Sequence, residues 1–155
     1  MSKALNVAVC QINPTLGNFQ KNIDIISKNY KSAVEKGADL VVFPEMSITG
    51  YPPQDLLNNK EFISQNISCL NELVKSITIP CILGYVDFED NKKFNAAAVC
   101  QDGEIVYKYH KIHLPNYDVF DERRYFHSGD SVGIFDLKVN NSCLLYTSPS
   151  PRDSN

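Results

Sequence analysis

Hydrophobic and polar positions alternate along the first half of the chain in the way expected of strands that take turns with helices. The apolar run LNVAVCQI (5–12) predicts a buried strand, because it is short, continuous and ended by Asn13-Pro14. Apolar runs at 40–43, which Pro44 ends, and at 81–86, which follows Pro80, are also short and continuous. These three runs predict three strands of one sheet.

Two helices are predicted between these strands by apolar residues that recur every three or four positions. In the first, Asn18 stands where a helix N-cap belongs, and Gly37 stands where a left-handed residue ends a helix. The buried stripes are expected to contain Phe19, Ile23, Ile26, Tyr30 and Ala33 in the first helix and Ile63, Ile67, Leu70, Val74 and Ile77 in the second. Strands linked by helices in this way are expected to run parallel.

The order of elements changes after the third strand. FNAAAVC (94–100) and EIVYKY (104–109) are separated by little more than Asp102-Gly103, a dipeptide typical of a tight hairpin turn. A polar and aromatic loop at 111–130 and a strand at 133–137 are expected to follow. The chain is therefore predicted to be an α/β protein with a mixed sheet and helices.

Composition narrows the class of protein. The 155 residues carry a formal net charge of -3 without a long run of like charge. The chain therefore lacks the basic pattern of a protein that binds nucleic acid or an anionic membrane. No apolar run approaches the roughly 20 residues that cross a bilayer, and the N terminus has no signal-peptide pattern. Five cysteines without a C-x-x-C pair favour reduced thiols, and His110 and His113 lack the spacing of a zinc-binding helix. A cytoplasmic protein without a metal site is expected.

Two charged residues come directly after predicted strands, where open α/β sheets gather their active sites. Glu45 follows the second strand in VVFPEMSITGYPP, and we expect its carboxylate to be removed from water unless it is paired. Lys111 follows EIVYKY, and a lysine near an acid can hold positive charge where an oxyanion develops. Each has an ordinary alternative, a glutamate bound by backbone amides or a solvated lysine.

A second glutamate lies in an aromatic setting. Glu122 belongs to YHKIHLPNYDVFDERRYF, where an unpaired carboxylate would be costly, so we expect it to pair with Lys111, a neighbouring arginine or backbone donors. We predict that Glu45, Lys111 and Glu122 converge on one cleft with Tyr51 and Tyr117 at its rim. Tyr51 is held by the proline-rich turn TGYPP, and a role in covering the core is the alternative for it.

FPEMSITGYPP and HKIHLPNYDVFDERRYF together closely resemble the nitrilase (carbon-nitrogen hydrolase) superfamily, and in detail the glutaminase domains of glutamine-dependent NAD synthetases. The resemblance covers about residues 4–139 and implies the N-terminal part of an αββα sandwich. It implies a Glu-Lys-Cys triad that cleaves amides, with Glu45 as general base and Lys111 as oxyanion stabiliser. By the same match, Glu122 is the second glutamate that holds the site together, and Tyr51 and Tyr117 are glutamine-pocket tyrosines.

The resemblance also implies what accompanies this domain. It implies no cofactor in the domain itself, and ATP with Mg in a C-terminal synthetase domain that these residues do not include. That domain would use the ammonia released from glutamine to amidate nicotinic acid adenine dinucleotide to NAD. A homo-oligomer is the assembly that the superfamily implies.

The chain departs from the family at the nucleophile. The family's cysteine is followed by an acidic residue on a strand after 133–137, whereas Cys143 is followed by Leu144. A family glycine is also replaced by Asp118. We therefore expect the chain to be inactive by itself. A stand-alone amidase or carbamoylase of the same superfamily, or a non-catalytic fragment, are the alternatives.

The character of the sequence changes near its end. Residues 142–155 are rich in Ser and Pro, and three prolines cannot occupy a central strand. LLYTSPSPRD resembles translated sequencing-adapter read-through. We therefore interpret 1–141 as a partial carbon-nitrogen hydrolase (glutaminase) domain and 142–155 as a non-native, disordered tail, with a natural disordered C terminus as the alternative.

Overall fold

A mixed five-stranded sheet, in the order β1-β2-β3-β4-β5, forms the centre of the computed structural model, which describes residues 4–139 and 142–147. The strands are β1 (Val7–Val9), β2 (Leu40–Val42), β3 (Cys81–Glu89), β4 (Lys92–Gln101) and β5 (Glu104–His110). The helices are α1 (Phe19–Glu35), α2 (Lys60–Val74) and the one-turn α3 (Glu122–Tyr125), with a 3-10 turn at Gln54–Asn58. β6 (Ile134–Val139) and β7 (Ser142–Thr147) form a separate hairpin.

The parallel part of the sheet agrees with the sequence. β1 pairs with β2 and β2 pairs with β3, both in parallel. α1 begins where Asn18 Oδ1 accepts a hydrogen bond from the backbone N–H of Lys21 at 3.2 Å, and it ends before Gly37, whose φ is +78°. The predicted caps of the first helix are confirmed.

The second helix is fixed to the sheet by a buried amide. Asn66 of α2 donates through Nδ2 to the carbonyl of Val86, and its Oδ1 accepts from the Val86 N–H at 3.2 Å. Apolar residues of both helices pack with β2 and β3 into one core, which includes Ile26, Leu70, Val41 and Leu83. No helix among the described residues has the length and apolar character that a membrane crossing requires.

Two antiparallel hairpins complete the sheet. β4 pairs with β5 through a turn in which Asp102 and Gly103 both have positive φ, as the sequence predicts. β3 pairs with β4 through Asp90 and Asn91, whose φ values of 49° and 60° give a turn of the same kind. Asp and Asn tolerate this conformation better than other side chains, which explains why the turn forms without a glycine.

β6 and β7 differ from the expectation of a disordered tail that starts at 142. Ile134 pairs with Thr147 and Val139 pairs with Ser142 in an antiparallel ladder. The physical reason is that SCLLYT has the apolar and aromatic character of a strand, whereas the Ser- and Pro-rich composition begins at 148. Residues 148–155 of the predicted tail lie outside the described residues, and the non-native origin of 142–155 stays a prediction.

β6 begins a second layer of the fold. Its side chains alternate between buried and exposed, and Phe135, Leu137 and Val139 pack against Leu40 and Val99 of the central sheet. This cluster lies apart from the core that contains the helices. The sheet is therefore covered by helices on one face and in part by the hairpin on the other.

Gly84 allows the turn after β2 to lie directly against β3. A Cβ atom at Gly84 would fall 2.2 Å from the carbonyl oxygen of Pro44 and 2.7 Å from Cα of Glu45. The hydroxyl of Ser47 also donates to the Gly84 carbonyl at 3.0 Å. Because only glycine permits this approach, Gly84 fixes the height of Glu45 above the sheet.

We expect Gly84→Ala to lower the free energy of unfolding by about 2 kcal/mol or more, because the added methyl group overlaps backbone atoms that cannot move aside. Urea unfolding followed by circular dichroism measures the change. Gly37→Ala is the matched control: Gly37 has no atom within 4 Å of an added Cβ, so only its left-handed backbone is strained, at about 1 kcal/mol. Equal losses in the two variants would contradict the role of Gly84.

Candidate active site

Lys111 lies between the two glutamates that the sequence singles out. Its Nζ is 3.1 Å from Oε1 and 3.2 Å from Oε2 of Glu45, and 3.3 Å from Oε1 of Glu122. The predicted convergence of the three side chains is therefore confirmed by their geometry. Their catalytic roles stay predictions.

Glu122 is the buried member of this group, with only 5% of its surface exposed. Three donors reach its carboxylate: the Tyr51 hydroxyl at 3.1 Å, Lys111 Nζ at 3.3 Å and Asn95 Nδ2 at 3.3 Å. A carboxylate in the interior is tolerated only with such compensation. The expected pairing with Lys111 is present, and the other two donors come from elements far away in the sequence.

Glu45 is paired with Lys111 rather than removed from water. Its side chain is 54% exposed, because it leaves the sheet at the end of β2 and projects into an open cleft. Glu122 is the buried carboxylate of the pair. Glu45 is held by Lys111 and by Asn95, whose Nδ2 lies 3.2 Å from its Oε2.

Aromatic residues form one side of a cleft of about 530 Å³ that opens beside the three charged side chains. Tyr51 and Tyr117 both line it, as predicted, and Tyr117 is 64% exposed. Phe120 lies between them, with ring centroids 6.4 Å from Tyr51 and 5.5 Å from Tyr117. The sequence places Phe120 in the aromatic motif around Glu122, but nothing in the pattern shows that it lies between the two tyrosines.

Backbone contacts hold the loop that carries Lys111. The Lys111 N–H donates to the carbonyl of Asn95 at 2.8 Å, and its carbonyl accepts from the N–H of Gly129 at 2.9 Å. Further along, the Glu122 N–H donates to the Pro115 carbonyl at 3.1 Å. Asp118, where the resemblance implies a glycine, has φ of 51°, a conformation that glycine adopts more easily.

The pKa of Tyr51 is raised above its ordinary value. Burial of the phenol is the largest cause, followed by the negative charge of Glu122 and the hydrogen bond to its carboxylate, with Glu45 and Tyr117 adding to the effect. The neutral phenol is thus favoured, and it acts as a donor toward Glu122. Tyr51 belongs to the hydrogen-bonding group as much as to the rim.

The four cysteines whose side chains are described do not line the cleft, and burial raises their thiol pKa values, for Cys100 to about 12. A neighbouring glutamate adds to the effect at Cys69. Raised values disfavour the reactive thiolate. None of these four thiols therefore has the properties of a nucleophile. Cys143 lies in β7, and its side chain is outside this description.

Among the described residues, a second charged cluster has ligand atoms close enough together to hold a metal ion. Ligand atoms of Asp87, Glu89 and His110 lie within 4.8 Å of one another. Lys108 already supplies the positive charge, since its Nζ is 2.9 Å from Glu89 and 3.3 Å from Asp87. Burial alone would raise the pKa of Asp87, but His110 and Lys108 hold it below its ordinary value. We interpret the cluster as an ion-pair network.

Comparison with known proteins places residues 6–144 in the family described as Carbon-nitrogen hydrolase. The glutamine-dependent NAD(+) synthetase of Thermotoga maritima is 41% identical over 142 residues, which is 90% of this chain and 24% of that protein. The glutamine-dependent NAD(+) synthetase of Acinetobacter baylyi is 35% identical over 135 residues, 86% of this chain and 25% of that protein. The chain therefore spans about a quarter of the length of these relatives.

Solved structures give the same picture of the fold. The glutamine-dependent NAD+ synthetase of Acinetobacter baumannii matches 92% of this chain and 27% of its own with a TM-score of 0.83 and 32% identity. An amidase from Nesterenkonia sp. matches 84% of this chain and 51% of its own with a TM-score of 0.73 and 22% identity. The second likeness concerns the fold alone, and together they confirm the predicted mixed sheet with helices as the N-terminal part of this architecture.

We expect Glu122→Gln to lower the pKa of Tyr51 toward its ordinary value, because the amide keeps the shape of the carboxylate but removes its charge. Burial remains, so the fall is partial. The measurement is the carbon resonance beside the hydroxyl of Tyr51 in tyrosine-labelled chain, which should begin to move at a lower pH in the variant. Glu61→Gln, at an exposed position on α2, is the control. An unchanged Tyr51 titration in Glu122→Gln would contradict the assignment.

Proposed function

Because the chain belongs to the carbon-nitrogen hydrolase family, we propose that Glu45, Lys111 and Glu122 are the acid-base and electrostatic groups of an amide-hydrolysing site. The observation that carries this proposal is the position of Lys111 Nζ within 3.3 Å of both carboxylates at the edge of an open cleft. A lysine surrounded by water, or a glutamate bound only by backbone amides, would not form these ion pairs. The alternatives to a catalytic role are thereby weakened.

The three side chains suit different parts of acyl transfer from an amide. Glu45, the most exposed of them, can take a proton from a nucleophile and return it to the departing ammonia. Lys111 can stabilise the negative charge that develops on the amide oxygen. Glu122, buried and bound by three donors, holds Lys111 in place.

The nucleophile would be a cysteine thiolate that attacks the amide carbon, releases ammonia as the C–N bond breaks, and leaves a thioester for water to hydrolyse. None of the five cysteines of this chain is followed by an acidic residue. A pocket of about 210 Å³ is lined by Glu45 and Lys111 and, among other residues, by the small Gly84, Ala96 and Ala97. It leaves room for a group that the rest of the protein would supply.

Glutamine is the substrate that we propose, on the strength of the relatives. Those with 41% and 35% identity are glutamine-dependent NAD(+) synthetases, whereas the amidase likeness rests on 22% identity. The aromatic side formed by Tyr51, Tyr117 and Phe120 suits the carbon chain of a small amide, with Lys111 beside its carboxamide. A stand-alone amidase or carbamoylase remains the second candidate, since the amidase likeness covers 84% of this chain.

For the whole protein we propose a cytoplasmic, homo-oligomeric enzyme whose C-terminal synthetase domain uses ATP with Mg and the released ammonia to make NAD. The support for a synthetase is that the relatives, which extend far beyond the matched segment, are named glutamine-dependent NAD(+) synthetases. The reading frame beyond Asn141 in genomic DNA tests the proposal. It should continue into a strand that ends in a cysteine followed by Glu or Asp.

We expect these 155 residues to release no ammonia from glutamine above the level of a Glu45→Ala control, because a base and an oxyanion donor without a thiolate assist only weak attack by water. A coupled ammonia assay measures this. Hydrolysis that depends on Cys143 would contradict the placement of the nucleophile outside the chain.

We expect glutamine nonetheless to bind the cleft and to shift the backbone resonances of Tyr51 and Lys111 in a nitrogen-15-labelled chain. Lys111→Met should abolish these shifts, because it removes the positive charge beside the carboxamide and keeps the length of the side chain. Lys75→Met, at an exposed position after α2, is the matched control. Glutamine shifts that survive Lys111→Met would contradict the proposed site.

A further inference from the structure

We propose that Asn95 is a positioning residue that holds Glu45 against Lys111. The inference rests on the proposed function, because the role matters only if Glu45 and Lys111 act together. Asn95 Nδ2 lies 3.2 Å from Oε2 of Glu45 and 3.3 Å from Oε2 of Glu122. An amide nitrogen carries two hydrogens, so each carboxylate receives one of them.

The main chain of Asn95 holds the third member of the group. Its carbonyl accepts the N–H of Lys111 at 2.8 Å, while its side chain is only 3% exposed. One residue of β4 therefore contacts Glu45, Glu122 and Lys111. β4 lies between β3 and β5 and pairs with both, so the backbone around Asn95 is held from both sides.

The chemistry of an amide fits this position better than that of a charged side chain. Among the described residues, the groups bound to the two carboxylates are the Lys111 ammonium, the Tyr51 phenol and the Asn95 amide. A second cation at 95 would compete with Lys111 for both acids, and a third carboxylate would repel them. Asparagine adds two donors and leaves Lys111 as the positive charge of this group.

Loss of Asn95 should affect the two glutamates differently. Glu122 is buried and keeps Tyr51 and Lys111 as donors, whereas Glu45 is half exposed and keeps only Lys111 among the described residues. An exposed ion pair with a single partner contributes little against solvent. Without Asn95, the carboxylate of Glu45 is therefore expected to leave Lys111 for water, while Glu122 stays in place.

The test reads hydrogen bonds at Lys111 in the 155-residue chain, with no substrate present. In labelled protein, couplings across the hydrogen bonds connect the Lys111 ammonium nitrogen to the carboxyl carbons of its partners. The unaltered chain should show couplings to both glutamates. Asn95→Ala and Asn95→Asp should each lose the coupling to Glu45, the first through loss of donors and the second through repulsion, and Asn95→Ala should keep the coupling to Glu122.

Asn66→Ala is the matched control, since Asn66 is an equally buried asparagine that binds the backbone of the neighbouring strand β3. It should lower stability and retain both Lys111 couplings, which separates positioning from a merely structural effect. Retention of the Glu45 coupling in a folded Asn95 variant would overturn the proposal. Where neither variant folds, the unaltered chain decides: couplings from the Asn95 amide nitrogen to both carboxyl carbons support the proposal, and their absence overturns it.

This readout is independent of the proposed substrate. Failure of glutamine to bind would count against the proposed function and leave the couplings unaffected. If glutamine binds but the Asn95 variants retain the coupling between Lys111 and Glu45, only the positioning role of Asn95 is contradicted.

Discussion

The burial of the Glu122 carboxylate is the constraint on which the site depends. A charged group with 5% exposure is stable only where donors replace the water that it has lost. The Tyr51 hydroxyl, the Lys111 ammonium and the Asn95 amide provide them from three separate parts of the chain. Once these groups are in place, Lys111 is also within reach of Glu45, so the exposed half of the site follows from the buried half.

Backbone contacts give these donors their positions. The turn with Glu45 rests on Gly84 of β3, at a distance that excludes a side chain there. The segment after β5 is held on both sides, by the Asn95 carbonyl and by the Gly129 N–H. The central sheet thus positions both Glu45 and Lys111.

Much of the fold could be predicted because its signals are local. Asn18 and Gly37 mark the ends of a helix by capping chemistry, and Asp102-Gly103 marks a two-residue turn. Asp90 and Asn91 form a comparable turn that was not predicted, since neither residue requires positive φ. β7 was also missed, because the prolines that follow it dominated the composition of the whole segment.

The charged residues of the site could be predicted from motifs. The exposure of Glu45 and the participation of Asn95 could not. Exposure of Glu45 depends on what covers the cleft, which no local pattern records. Asn95 stands in FNAAAVC as one polar residue of a strand, and nothing there connects it with Lys111.

The connection between Asn95 and Lys111 depends on a β-bulge. Next to the turn, Gln101 pairs with Glu104 and Cys100 with Ile105, a register that would bring Asn95 level with His110. The bulge between Val99 and Cys100 shifts the pairing by one residue, so that Ala96 pairs with His110 and Asn95 comes level with Lys111. Because a shift of one residue moves side chains to the opposite face of a sheet, the bulge brings the lysine to the face where Asn95 and the glutamates meet.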